Sequence, residues 1–129
     1  MPKKKKQQAI TLLEKNKKKW NVYNMDIVFG QAPDILQTLP APDKIFIGGS
    51  SGKVKESVQT ALQKNASVEI VATAISLETI RDLQQCFSDL GIEYQCTQIS
   101  ISKSEAVKNY HIMKAQNPVF IFCGRRAQI

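Results

Sequence analysis

The chain has 129 residues, enough for one domain with one core and too few for two independent ones. Its 43% hydrophobic content excludes a disordered chain, and no apolar run approaches a membrane span or a signal-peptide core, so a soluble, cytoplasmic protein without membrane contact is expected. The net charge of +7 belongs to one end: residues 1–20 hold eight lysines against Glu14, while the rest of the chain balances ten basic and ten acidic side chains.

That end could bind phosphate backbones by counterion release or simply keep a terminal helix solvated. No aromatic residue is interleaved with the lysines before Trp20, which favours solvation and makes a nucleic-acid partner the weaker reading. Residues 1–6 read as a basic, flexible end. From 7 to 20, Ile10, Leu13 and Trp20 recur at helical spacing with Leu12 beside them, an amphipathic helix. Residues 25–30 read as a short strand stopped by Gly30, and residues 32–39 as a short helix with Pro33 in its first turn.

The stretch Asp43-Lys44-Ile45-Phe46-Ile47-Gly48-Gly49-Ser50-Ser51-Gly52-Lys53 is the main site candidate. A buried parallel strand here hands its carboxyl edge to a helix, where backbone approaches ligands closely. The helix spans about 53–64 with a stripe of Val54, Val58, Ala61 and Leu62, and Asn65 suits a left-handed cap. Residues 68–75 form a near-continuous apolar run, as in a central strand buried on both faces. Ser76 can cap the next helix, whose stripe is Leu77, Ile80, Leu83, Phe87 and Leu90 and whose stop is Gly91.

Beyond Gly91 two strands follow without a helix between them, which implies an antiparallel pair at one end of the sheet. In the first, Ile92, Tyr94 and Cys96 alternate, then the apolar phase slips to Ile99 and Ile101, predicting a bulge near Thr97 or Gln98. A polar connection, 103–117, leads to the last strand, 119–124. Cys86, Cys96 and Cys123 have no disulfide or zinc spacing and read as core packers.

The glycine loop fits neither familiar phosphate motif. A Walker loop needs four residues before its Gly-Lys pair, whereas Gly48 and Gly52 enclose three, and the Gly-x-Gly-x-x-Gly fingerprint is absent. Gly48-Gly49 alone is equally a tight turn that lets strand and helix pack. The lone histidine, His111, has no locally spaced carboxylate to orient it, so no catalytic triad is argued, catalytic residues stay unassigned, and no cluster has metal spacing. The residues point to ligand binding at strand ends rather than side-chain acid-base chemistry.

Three motifs in order carry a resemblance: Asp43 to Gly52, then Ile70-Val71-Ala72-Thr73-Ala74-Ile75-Ser76-Leu77-Glu78-Thr79, then Tyr110-His111-Ile112-Met113-Lys114-Ala115-Gln116-Asn117-Pro118-Val119. Together they resemble the decarboxylating precorrin methyltransferase domain of cobalamin biosynthesis, over nearly the whole chain. The resemblance implies an α/β, class I (Rossmann-like) methyltransferase sheet with an antiparallel strand pair at its end. It also implies S-adenosylmethionine (SAM) as methyl donor and a precorrin tetrapyrrole as acceptor, methylated at two meso positions and decarboxylated at one acetate.

Carried over residue by residue, Gly30, Gln31 and Ala32 match a Gly-Asp-Ala-Pro segment beside the adenine, with Gln31 in place of the acid. Gly48, Gly49 and the following Ser50 match the strand end next to the cofactor's methionine part. Thr73 stands near the acceptor, and His111 is a candidate acceptor contact. Relatives begin with a strand, a glycine-rich loop, a helix and a strand ending in a ribose-binding acid, and this sequence aligns from the next helix, so a partial, N-terminally truncated domain over 1–129 is expected. Loss of the first strand predicts direct pairing of the strands holding Phe29 and Phe46, association with another chain or poor stability. A homo-oligomer is also implied. The competing readings are a noncatalytic methyltransferase-fold module and, more weakly, a nucleic-acid methyltransferase or binder.

Overall fold

The computed structural model describes residues 2–48 and 53–127, with side chains from Gln7 onward. Helix α1 spans Pro2–Lys19. It begins five residues before the apolar spacing at Gln7, so the first lysines continue the same helix. Lysine is a good helix former, and proline is tolerated in a first turn, where its missing N–H has no partner to lose. Asn21, with φ 53, ends the run.

Residues 25–30 form no strand. A strand exists only through a neighbour's ladder, and no described residue supplies one to this segment, so the expected pairing of Phe29's segment with Phe46's is absent. A 3-10 turn, Asp34–Thr38, follows Pro33. Strand β1 (Lys44–Ile47), helix α2 (Val54–Lys64), strand β2 (Glu69–Ala74) and helix α3 (Leu77–Asp89) come next. They are followed by β3 (Ile92–Ile99), a hairpin β4 (Ser102–Val107) and β5 (Tyr110–Ala115), and β6 (Val119–Arg126). The main sheet has the order β1-β2-β6-β3, with β1 and β2 parallel and β6 antiparallel to both its neighbours. The end pair β6 and β3 is thus antiparallel, as expected.

Helices α2 and α3 cover one face. Val58, Ala61, Leu62, Leu83 and Phe87 pack there against Ile70, Ala72 and Phe122, all buried. The Phe87, Tyr94 and Phe122 rings meet at centroid separations of 5.2 to 6.0 Å, in tilted and edge arrangements that suit aromatic quadrupoles. Ser76 caps α3, its hydroxyl accepting from the Thr79 N–H at 3.1 Å, and Gly91 ends the turn at φ 67, a conformation that a side chain would strain. Leu77 is 80% exposed and leaves the expected stripe, because the first residue of α3 lies beyond the sheet's cover.

Five further expectations are corrected. Asn65 is not left-handed but extended, at φ −151; its side chain instead donates to Pro42 O (2.8 Å) and accepts from the Ser67 N–H (3.0 Å). Strand β2 is not buried on both faces: Ile70, Ala72 and Ala74 are buried, whereas Val71 and Thr73 are half-buried. Strand β3 has no bulge, since its register with β6 runs unbroken from Ile92↔Arg126 to Ile99↔Val119. The phase slip is a change of face: Ile99 sits with Val119 on the side away from the helices. The polar connection 103–117 is largely the β4–β5 hairpin, a separate two-stranded sheet. Finally, only Cys86 is a core packer; Cys96 and Cys123 are exposed, one on the edge strand β3 and the other on the uncovered face.

Candidate functional site

Gly30, Gln31 and Ala32 lead into the 3-10 turn. The Gln31 carbonyl accepts from the Ile35 N–H at 3.1 Å, and the chain folds back so tightly that a Cβ on Gly30 would lie 2.8 Å from the Ile35 side chain. The Ala32–Pro33 peptide bond is cis. Gly48 leaves β1 at its carboxyl end, where an added Cβ would meet the Phe46 ring at 2.9 Å. Gly49 and Ser50 lie outside the described residues.

Ala32 and Gly48, distant in sequence, line one cavity of about 450 Å³ between the 3-10 turn, β1 and α2. Its walls are mainly apolar, with Leu36, Leu39, Pro40, Ile47 and Val54 among them, and Lys53, Ser57 and Thr60 supply polar atoms. Thr60 is satisfied within its helix, its hydroxyl donating to Glu56 O at 3.0 Å. The far wall is pinned from α2: Lys64 Nζ donates to the carbonyls of Gln37 (3.0 Å) and Leu39, and Asn65 holds Pro42 O. Hydrogen bonds to charged donors are the stronger kind, so the wall has a defined position.

Thr73 reaches the same carboxyl edge from β2. The last β1–β2 register pair is Ile47↔Ala72, and Gly48 and Thr73 are the next residue of each strand. Thr73 is half-buried on the sheet face opposite the helices, with Ile121 as its partner on β6. His111 lies elsewhere, exposed on β5 opposite Ala106 in the hairpin sheet. The described structure thus gathers Ala32, Gly48 and Thr73, sets Gly30 and Gln31 beside them in sequence, and leaves His111 on a separate arm.

The sequence reading missed the cavity's apolar wall. Leu36, Leu39, Pro40 and Pro42 flank β1 in sequence, and the pair of prolines after an apolar turn was the available signal. At the other end of β2, Glu69 is bound by Arg125 (Nη2 to Oε2, 2.8 Å), with Lys44 at 3.9 Å and the Cys123 thiol donating at 3.6 Å. The Arg125 hydrogen bond foremost, then the Lys44 charge, holds the Glu69 carboxyl below its ordinary range. This cluster fastens strand ends on the side opposite Gly48. Among the described residues no group of His, Cys, Asp and Glu could hold a metal, and no helix is long and apolar enough to cross a membrane. The cavity is large enough for a mainly apolar group, with the polar atoms of Lys53, Ser57 and Lys64 at its rim or wall.

A family profile for a precorrin methyltransferase domain matches residues 3–126. A probable cobalt-precorrin-6B C(15)-methyltransferase (decarboxylating) from Saccharolobus solfataricus is 35% identical over 126 residues, covering 95% of this chain and 63% of the relative. The corresponding protein of Pyrobaculum calidifontis is 30% identical over 116 residues, covering 89% of this chain and 60% of that one. A solved precorrin-6Y C5,15-methyltransferase from Geobacter metallireducens superposes with a TM-score of 0.83 at 28% identity, covering 93% of this chain and 62% of that one. A SAM-dependent O-methyltransferase from Thermotoga maritima, at 10% identity and a TM-score of 0.67, shares the fold alone. The chain spans about 60% of the length of the relatives it matches. With a profile match over nearly all its residues and the methyltransferase sheet in place, the chain belongs to the precorrin methyltransferase domain family.

Proposed function

We propose that this chain is part of a cytoplasmic SAM-dependent methyltransferase that methylates and decarboxylates a precorrin tetrapyrrole in cobalamin biosynthesis. The observation that carries the reading is the meeting of Ala32 and Gly48 on one apolar cavity at the carboxyl edge of β1, with Thr73 one strand away. Open α/β sheets bind ligands at that edge. SAM, when bound, supplies an electrophilic methyl group to a carbon nucleophile.

The residues present fit one wall of that cofactor. The slot beside Ala32 and Leu36 suits a flat base, and Gln31 adds an amide able both to donate and to accept. Gly48, followed in sequence by Gly49 and Ser50, gives the amino-acid end a backbone without an obstructing side chain. Thr73 orients the acceptor from the sheet, and His111 meets it from the hairpin. Catalysis of this kind is mainly positioning, which agrees with a cavity whose described walls are mainly apolar and hold no His, Asp or Glu. The working enzyme is a homo-oligomer or an association with another chain, a reading supported by the exposed Phe46 and Ile99 on the sheet face away from the helices.

The test is incubation of the assembled protein with methyl-labelled SAM and an early precorrin, followed by mass spectrometry. Label in the macrocycle together with loss of carbon dioxide is the expected result. Release of neither, with an acceptor that a full-length relative converts, would overturn the reading.

A further inference from the structure

The cavity wall that stands opposite α2 has little to fix it by itself. Pro40 and Pro42 have no N–H to donate, and no side chain of the 3-10 turn Asp34–Thr38 is buried. The bonds inside the turn run from the Leu36 N–H to Pro33 O (3.0 Å), from the Leu39 N–H to Leu36 O (3.2 Å) and from the Thr38 hydroxyl to Ile35 O (2.8 Å). They fix its shape and leave its place undecided. A segment without a buried apolar anchor opens locally at little cost unless polar contacts hold it.

Those contacts come from the end of α2. Half-buried Lys64 donates from Nζ to the carbonyls of Gln37 (3.0 Å) and Leu39. Asn65 Nδ2 donates to Pro42 O (2.8 Å), and Asn65 Oδ1 accepts from the Ser67 N–H (3.0 Å), which orients the amide. Two consecutive side chains thus take the carbonyls of Gln37, Leu39 and Pro42, the groups that a proline-rich wall still offers. Because β1 and β2 are parallel, α2 runs back between them, and Lys64 lies toward the start of β1, at the other end of the cavity from Gly48.

We propose that Lys64, with Asn65 beside it, is a positioning residue for the ligand of this cavity. The pair latches the wall of Leu36, Leu39 and Pro40 at a set distance from Val54, Ser57 and Ala61, so the slot is formed before the ligand arrives. A preformed slot spares binding the cost of ordering its wall. The Lys64 ammonium is engaged by the two carbonyls, so it acts on the ligand through the wall. The inference rests on the reading of this cavity as the SAM site.

Hydrogen exchange followed by NMR, together with calorimetry with SAM, tests it. Lys64→Met keeps the reach of the side chain and removes its donors. Exchange of the Ile35, Leu36 and Leu39 amides is expected to quicken, while the Leu83 and Phe87 amides of α3 exchange as before. SAM binding is expected to weaken about tenfold, the size of one lost hydrogen bond from a charged donor. Lys64→Arg restores donors and is expected to recover both readouts, whereas a residue needed only for folding would move the α3 amides as well. If Lys64→Met does not fold, Asn65→Asp carries the test, because it keeps the Ser67 bond and loses the one to Pro42. Unchanged exchange at the wall overturns the latch, and a looser wall with unchanged SAM affinity overturns its positioning role. A wild type that gives no heat at millimolar SAM overturns the reading of the cavity, and the latch is then decided by exchange alone.

Discussion

Phe46 of β1 and Val71 of β2 are register partners that leave the same face of the sheet, and Phe46 is 68% exposed there while Ile70, next to Val71, is fully buried on the other side. The sheet is therefore finished on its helix side and open on its other side. The carboxyl end of β1 at Gly48 lies where the two conditions meet.

The finished side should respond to truncation as a close-packed core does. Phe87 is fully buried and touches the Tyr94 and Phe122 rings. Phe87→Ala is expected to destabilise the fold by about 3–5 kcal/mol, read as a shift of the urea midpoint. A loss under about 1 kcal/mol would mean that these rings are not packed as described.

The cap of α3 is a smaller and separable contribution. Ser76→Ala leaves the Thr79 N–H without its acceptor at the helix start. The expected cost is about 1 kcal/mol, with the circular dichroism of the folded protein unchanged. Ser76→Asp is expected to restore most of it.

Acid sensitivity follows from Glu69. Its folded pKa lies below the ordinary carboxylate range, chiefly through the Arg125 hydrogen bond, so its contribution is present above that range and fades as pH falls through the folded value. Asp89, lowered by its Gln85 and Lys55 hydrogen bonds, acts in the same direction. Glu69→Gln with Asp89→Asn is expected to flatten the acid limb of a stability-against-pH curve below about 4.5 and to leave the slope of its neutral region unchanged. An unchanged acid limb would contradict these pairings.

The three thiols should separate by reactivity. Burial pushes the Cys86 thiol up to about 11, whereas Cys96 and Cys123 are exposed. Alkylation of the native protein near pH 8 is expected to modify Cys96 and Cys123 and to spare Cys86 until denaturant is added, as seen by mass spectrometry.

Much of this fold was legible in the sequence because its signals were local. The stripe of Val54, Val58, Ala61 and Leu62, the Ser76 cap and the Gly91 stop are each decided within one turn of chain. The larger failures were matters of partnership. Residues 25–30 have strand composition and no ladder, the slip at Ile99 is a change of face that looks like a bulge when the neighbour is unknown, and 103–117 conceals a hairpin because polar strands exposed on both sides lack an apolar alternation. At the site, Ala32 and Gly48 were legible through motif, but the wall of Leu36, Leu39 and Pro40 was not, since nothing in their order says that α2 pins them across β1.

The most direct measurement is titration calorimetry of the protein with SAM. Saturable heat is expected for the wild type, weakened at least about tenfold by Ala32→Phe, which would fill the slot while leaving the α2–α3 core intact, a loss of about 1.4 kcal/mol. Absence of heat at millimolar SAM, or binding indifferent to that substitution, would contradict the assignment of the cavity between the 3-10 turn, β1 and α2 as the cofactor site.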